Sequence, residues 1–273
     1  MSANVLVLRT AGTNCDQETE FAFRLAGAQT CKLHVNALRR DPGRLQEFHI
    51  LALPGGFSYG DDLGAGKVLA NELLATLRPA IEQFLADGKL IIGICNGFQV
   101  LVKTGLLPGI ERWKQQATLT FNDSGKFEDR WVHLQAPQTR CALVEPGERI
   151  YLPVAHAEGK FVVEDDAVLE EMRGNGQVIY RYVAPDGGPP AYPWNPNGSA
   201  DDIAGICDPS GRVIGLMPHP ERHCLPLHDP RWTRRGLQQE GEGLRFFRRA
   251  VQLVVDQLEV PASATVHGSI DGM

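Results

Sequence analysis

The chain has 273 residues, 43% of them apolar, and carries a net charge of −6. That length can feed one large α/β core, while the acidic balance excludes a binder of nucleic-acid backbone, which needs a basic face. No apolar run reaches the ~18–20 residues a bilayer-spanning helix requires, and the N-terminus shows no basic region before a cleavable apolar core, so a cytoplasmic protein with neither membrane nor nucleic-acid partners is expected.

In chain order, VLVL (Val5–Leu8) reads as a buried strand, and DQETEFAFRLAGA from Asp16 has helical spacing with an acidic start and Gly27 near its end. CKLHV (Cys31–Val35) and HILALPGG (His49–Gly56) give the second and third strands. A helical stretch from Val68 is interrupted around Pro79, KLIIGIC is a fourth strand, and GFQVLVKTG is a helix closing at Gly105. Strands alternating with helices predict right-handed crossovers and a doubly wound, mostly parallel sheet. In such sheets the chemistry gathers beyond the carboxyl ends of the strands. From Thr118 to Val183 strand signals lie closer together and helices are few, which predicts antiparallel strands appended to that sheet. IAGICDPSGRVIGLMP reads as a hairpin with Pro209 and Gly211 at the second and fourth turn positions. GEGLRFFRRAVQLVVDQL is an amphipathic closing helix, and the small, polar tail from Pro261 is expected to be disordered.

The six cysteines make no disulfide framework and no CxxC pair. RHCLPLH brings His223, Cys224 and His228 together but lacks a fourth ligand, so no metal site is expected. Cys95 is different, because it closes a strand and stands between Gly93 and Gly97. A strand that turns abruptly into a helix pushes its corner side chain outward and crowds its neighbours, which must be small; this is the nucleophile elbow, written G-x-S-x-G in hydrolases. The elbow would expose a thiol at the sheet edge beside a helix N-terminus, whose partial positive charge favours an anion. The competing reading is a buried structural cysteine with glycines that only pack the helix on the sheet.

A cysteine nucleophile needs a base, and the base an orienter. MPHPERH supplies His219 and Glu221 two positions apart, on the same side of a segment that Pro218 and Pro220 are expected to hold extended. His156 and Glu158 in VAHAEG repeat the spacing and make His156 the rival base. ALPGGFSYGDD follows the third strand, and a backbone N–H from Gly56 with the amide of Asn96 would make an oxyanion hole. GDDLGAGKV fails as a phosphate-binding loop, since no Gly lies five before Gly66 and Val68 stands where Ser or Thr would hold magnesium.

Together LPGGFSYGDDLGAGK, GICNGFQVL, NDSGKFEDRW, HAEGKF and NPNGSADDIAGICDPSGRVIGLMPHPERH, spread over most of Val5 to His223, resemble the class I glutamine amidotransferases. The GGFSYGDDLGAGK and NPNGS blocks narrow the resemblance to the glutaminase subunits of phosphoribosylformylglycinamidine synthase. The resemblance implies a flavodoxin-like amidotransferase domain over residues 1–258 with a tail over 259–273. It implies Cys95 as nucleophile, His219 as general base and acid and Glu221 as its orienter, with oxyanion amides from Gly56 and Asn96. Gln99, His156 and Glu158 would line the glutamine pocket, and Cys15, in a family-like NCD block, reads as structural. The implied partner is an ATP-dependent synthetase subunit, with room for a small third subunit; ATP and magnesium are expected there and no cofactor in this chain. A stand-alone γ-glutamyl hydrolase with the same triad is the alternative. The arginine-rich segment before the last helix departs from the pattern and is expected to be a solvated loop, with docking on the partner as the other reading.

Overall fold

Short, continuous apolar runs build the centre of the molecule, and every residue of four of its strands is buried. The computed structural model describes residues 2–259; the tail read from the sequence lies, from Val260 onward, outside the described residues. The first half runs β1 (Asn4–Arg9), α1 (Asp16–Leu25), β2 (Gln29–His34), α2 (Val35–Arg40), β3 (Ile50–Leu53), α3 (Lys67–Thr76), α4 (Arg78–Ala86), β4 (Leu90–Ile94) and α5 (Asn96–Lys103). The second runs β5 (Ala117–Thr120), β6 (Glu128–Gln135), β7 (Arg149–His156), β8 (Lys160–Val163), α6 (Asp166–Gly174), β9 (Val178–Val183), β10 (Ile203–Cys207), β11 (Val213–Leu216), α7 (Trp232–Arg235) and α8 (Leu244–Glu259).

The main sheet has nine strands in the order β2-β1-β3-β4-β11-β10-β9-β6-β7. The strands from β2 to β11 are parallel, and the rest are joined antiparallel. The parallel core strands carry uninterrupted Ile, Leu and Val because helices cover both faces. Helix α8 closes the fold with Leu244, Phe247, Val251 and Val254 on one stripe. Its Phe247 meets Phe23 of α1 edge to face at 4.9 Å. Such fully buried rings contribute about 1.5–3 kcal/mol each. β7 is an edge strand, so Pro153 can sit in it without breaking a central ladder.

Three expectations need correcting. Not all the appended strands join the sheet, because β5 and β8 pair apart as a two-stranded ribbon. The stretch with few helical signals contains α6, which buries only Val168 and Met172. Its cap was nonetheless written in the sequence, since the Asp165 carboxylate accepts from Val168 N at 2.9 Å. The arginine-rich segment is not simply solvated: it straps the edge strand, with Tyr151 N donating to Glu242 Oε2 at 2.7 Å and the Arg231 guanidinium 3.5 Å from the Tyr151 ring. Asp229 holds Arg231 at 3.3 Å and Arg235 at 3.6 Å. Covering an edge in this way removes a template for unwanted strand pairing.

Candidate active site

β4 ends in a corner at Cys95, whose backbone has φ 51° and ψ −105°. A non-glycine residue held there stores on the order of 1–3 kcal/mol, which the surrounding structure must impose. The two glycines permit the corner. A Cβ on Gly97 would come within 1.9 Å of the Leu53 carbonyl oxygen, and one on Gly93 within 2.6 Å of the Gly97 backbone. Both are required for α5 to lie directly on β4 and β3. The Cys95 N–H donates to Leu216 O at 2.8 Å and its carbonyl accepts the first turn of α5 from Gln99 N at 3.0 Å, so both neighbouring elements lock the corner.

His219 follows β11, the strand beside β4, and its N–H donates to Pro153 O at 2.8 Å. The segment expected to be extended is instead a single 3-10 turn, Pro220–Arg222, begun by a proline whose fixed φ suits a first helical position. Glu221 still reaches back: its Oε1 lies 2.5 Å from His219 Nδ1, and both residues are buried. Burial alone would hold His219 neutral, but the Glu221 carboxylate and the sulfurs of Cys95 and Cys15 outweigh it and push the pKa well above the ordinary histidine value. That balance favours the imidazolium, with Nδ1–H on Glu221. Nε2 stands near both sulfurs without a directed hydrogen bond to either.

Gly55 is where these groups converge. A Cβ there would lie 2.9 Å from His219 Cε1, 3.1 Å from Cys15 Sγ and 3.5 Å from Cys95 Cβ. Its carbonyl accepts from Cys15 N at 3.1 Å and Asn14 N at 3.3 Å. That anchors the peptide, so the N–H of Gly56, on the opposite side of the same plane, points away from the Asn14–Cys15 loop. Gly56 has φ 146° and lines the cleft with Cys95. The Asn96 N–H is the first of α5 and, like all first-turn amides, has no partner within the helix.

The cleft at Cys95 is small, about 40 Å³, and Gly56, Asp61, Gln99, His156 and Glu158 are among its walls. The Asn96 side chain ties these walls together: its Oδ1 accepts from Ser58 N at 3.1 Å, and its Nδ2 donates to Asp61 Oδ1 at 3.1 Å and Gln99 Oε1 at 2.9 Å. Gln99 Nε2 donates to Glu158 O at 2.6 Å, and Glu158 Oε2 accepts from Ala65 N at 3.3 Å. Cys95 Sγ lies 3.7 Å from Ala155 O. A larger hollow of about 800 Å³ touches Glu221 and Arg222, but Cys95 does not line it.

His156 is in the cleft but not beside a carboxylate, because Glu158 turns away to Ala65 and the ring pairs with Asn122 instead. Burial, and then the charge of His219, push its pKa down to about 3. The rival base is thus a neutral ring. Cys15 is the residue that the sequence undervalued. It begins α1 with its sulfur buried among His219, Glu221 and Arg222, whose Nη2 donates to Sγ at 3.0 Å. Its place after a strand, like that of Cys95, was the available signal. Cys15, His219 and Glu221 offer ligand atoms within 4.8 Å of one another, but the ring nitrogen facing Glu221 is already committed to it. In RHCLPLH, His223 Nδ1 donates to Tyr151 O at 2.8 Å while Cys224 Sγ turns to Pro220 O, so those side chains diverge.

The CobB/CobQ-like glutamine amidotransferase domain matches residues 2–254. The chain is 52% identical to phosphoribosylformylglycinamidine synthase subunit PurQ of Dehalococcoides mccartyi, over 90% of this chain and 96% of that relative. It is 42% identical to the subunit of the same name from Archaeoglobus fulgidus, over 93% and 97% of the two chains. Among solved structures, a chain of PurLQS from Thermotoga maritima superposes with a TM-score of 0.70 at 32% identity, covering 95% of this chain and 100% of that one.

Proposed function

The chain belongs to the CobB/CobQ-like glutamine amidotransferases, among the PurQ subunits of phosphoribosylformylglycinamidine synthase, and on that premise we propose a role for each residue of its site. It is the glutaminase subunit of that synthase, in purine biosynthesis, and works with a synthetase partner. We assign Cys95 as the nucleophile, and the observation that carries the assignment is the strained, glycine-flanked corner that sets its sulfur beside the His219–Glu221 pair.

Cys95 Sγ, as the thiolate whose proton rests on His219 Nε2, attacks the carboxamide carbon of glutamine. The charge that develops on oxygen is met by the N–H groups of Gly56 and Asn96. His219, already protonated, gives its Nε2 proton to the departing nitrogen, and ammonia leaves a γ-glutamyl thioester on Cys95. The now neutral His219 takes a proton from water as it attacks the thioester, glutamate leaves, and the charged resting state returns. Glu221 keeps Nδ1 facing away from the sulfur throughout. Gln99 and Glu158 hold the wall against which glutamine lies.

Free ammonia in water would be mostly ammonium, a poor nucleophile, so the product has to pass internally to the synthetase. We place ATP and magnesium in that partner, count a small third subunit among the partners, and place the assembly in the cytoplasm. Among the described residues, no helix is long and apolar enough to cross a membrane. The tight cleft and the undirected Nε2 support low turnover until the synthetase docks. The Gly55 carbonyl is anchored twice, by Cys15 N and Asn14 N, which holds the Gly55–Gly56 peptide in place. The test is glutamate release by the chain alone and with the synthetase, formylglycinamide ribonucleotide and ATP. A large rise in turnover is expected; full turnover alone, with no response to the loaded synthetase, would favour a free-standing hydrolase.

A further inference from the structure

Two thiols share the imidazole of His219, and the mechanism uses one of them. Cys15, His219 and Glu221 bring their polar atoms within 4.8 Å of one another, and the Cys95 sulfur stands beside the same ring. A Cβ on Gly55 would lie 3.1 Å from Cys15 Sγ and 3.5 Å from Cys95 Cβ. Gly55 has none, so the two cysteine side chains face one gap with no side chain of that residue between them. A structural thiol is inert because its surroundings are apolar. Those of Cys15 are polar: its S–H donates to Asn14 Oδ1 at 3.2 Å, and Arg222 Nη2 donates to the sulfur at 3.0 Å. Cys95 lines the cleft and Cys15 does not. That cleft of about 40 Å³ has room for a molecule little larger than water, whose share of the liquid is about 30 Å³. A peroxide fits such a space, and it reaches Cys95 first.

We propose that Cys15 is the resolving thiol for oxidised Cys95: hydrogen peroxide converts the pair into a reversible disulfide that stops the glutaminase and spares the nucleophile from irreversible oxidation. The inference takes from the glutaminase reading only that Cys95 is the reactive thiol. The Cys95 thiolate attacks one oxygen of the peroxide, the O–O bond breaks, and the departing hydroxide takes the Nε2 proton of His219 and leaves as water. Cys95 is then a sulfenic acid. The neutral His219 accepts the Cys15 proton, the Cys15 sulfur attacks that of Cys95, and the S–O bond breaks. The second hydroxide recovers that proton from His219 and leaves as a second water. Each sulfur has given up one electron and the peroxide has taken two. Arg222 meets the charge on the Cys15 sulfur between the two proton transfers. A dithiol reopens the bridge by exchange. Disulfides of cytoplasmic proteins are mostly transient or sensing ones, and this pair is of that kind.

The experiment holds the full chain with its synthetase in hydrogen peroxide, then adds dithiothreitol, and reads the cysteine peptides by mass before and after reduction. In the parent, glutaminase turnover should fall roughly 10-fold or more, because a bridged sulfur cannot attack. A peptide linking Cys15 to Cys95 should appear, and dithiothreitol should restore most of the activity. Cys15→Ala and Cys15→Ser should also be inactivated but recover little, with Cys95 found as the sulfinic acid. Ammonia-dependent synthesis, measured in the same samples, reports any damage to the synthetase. A parent chain with sulfinic Cys95 and no link to Cys15, or with Cys95 bridged to a different cysteine, overturns the proposal. Equal recovery of the parent and both Cys15 variants overturns it as well. A Cys95 that peroxide leaves unmodified overturns it too, and the glutaminase reading survives that result if labelled glutamine still acylates the same sulfur.

Discussion

The ends of β11 and β7 carry the same pattern, a histidine followed two residues later by a glutamate, and the fold makes opposite groups of them. At His219 the glutamate swings back to the ring at 2.5 Å, and its charge outweighs burial. At His156 the glutamate leaves for Ala65 N and an uncharged asparagine takes the ring nitrogen, so burial wins and the pKa falls to about 3. Both rings are buried to a similar degree. What sets protonation is the sign of the group facing Nδ1, not depth and not the spacing in the sequence.

The comparison can be broken hardest at His219. His219→Ala should lower glutamine turnover by roughly 10³-fold or more, since members of a triad act as a unit, and ammonia-dependent synthesis by the complex should persist because it bypasses the thiol. A comparable loss of turnover in His156→Ala would erase the distinction. Glu221→Gln is the next largest, with an expected loss of about 10²- to 10⁴-fold in kcat. Without the carboxylate the His219 pKa falls, so the activity that remains should be lost at lower pH on the alkaline side; an unmoved profile would mean the charge comes from elsewhere. Cys15→Ala should cost only a few-fold, because it removes one of several groups that favour the imidazolium, and should leave a Cys95 adduct intact.

Stability against pH offers the smallest and subtlest contrast. The folded His156 pKa is depressed to about 3 from an ordinary 6.5, so the unfolded chain binds the extra proton, and this contribution is present above about pH 6.5 and lost as pH falls toward 3. The folded His219 pKa is raised, so its contribution is full below the ordinary value and is lost as pH rises through the raised one. Urea midpoints between pH 4 and 7 should therefore depend less on pH in His156→Leu than in the parent chain. No change in that slope would show that the ring is protonated in the fold.

The parallel half of the sheet was legible because its strands are unbroken apolar runs and its helices alternate with them, as in LIIGI before Cys95. The sharp corner at Cys95 and the His219–Glu221 pair were legible too, since glycines at Gly93 and Gly97 let a helix lie directly on the strand that the thiol closes. What escaped depended on contacts distant in sequence. Asn122 holds the His156 ring from 34 residues away, and Arg222 reaches Cys15 across 207. No local pattern encodes either. The 3-10 turn at Pro220 was hidden for a different reason: proline suits an extended segment and a first helical turn equally well.

The most direct test is to acid-quench the chain during turnover with its loaded synthetase and labelled glutamine, then locate the glutamyl thioester by peptide mass. The label should lie on Cys95 in the parent chain and, at raised glutamine, in His156→Ala as well. A label on Cys15, or steady turnover with no cysteine labelled, would contradict the account.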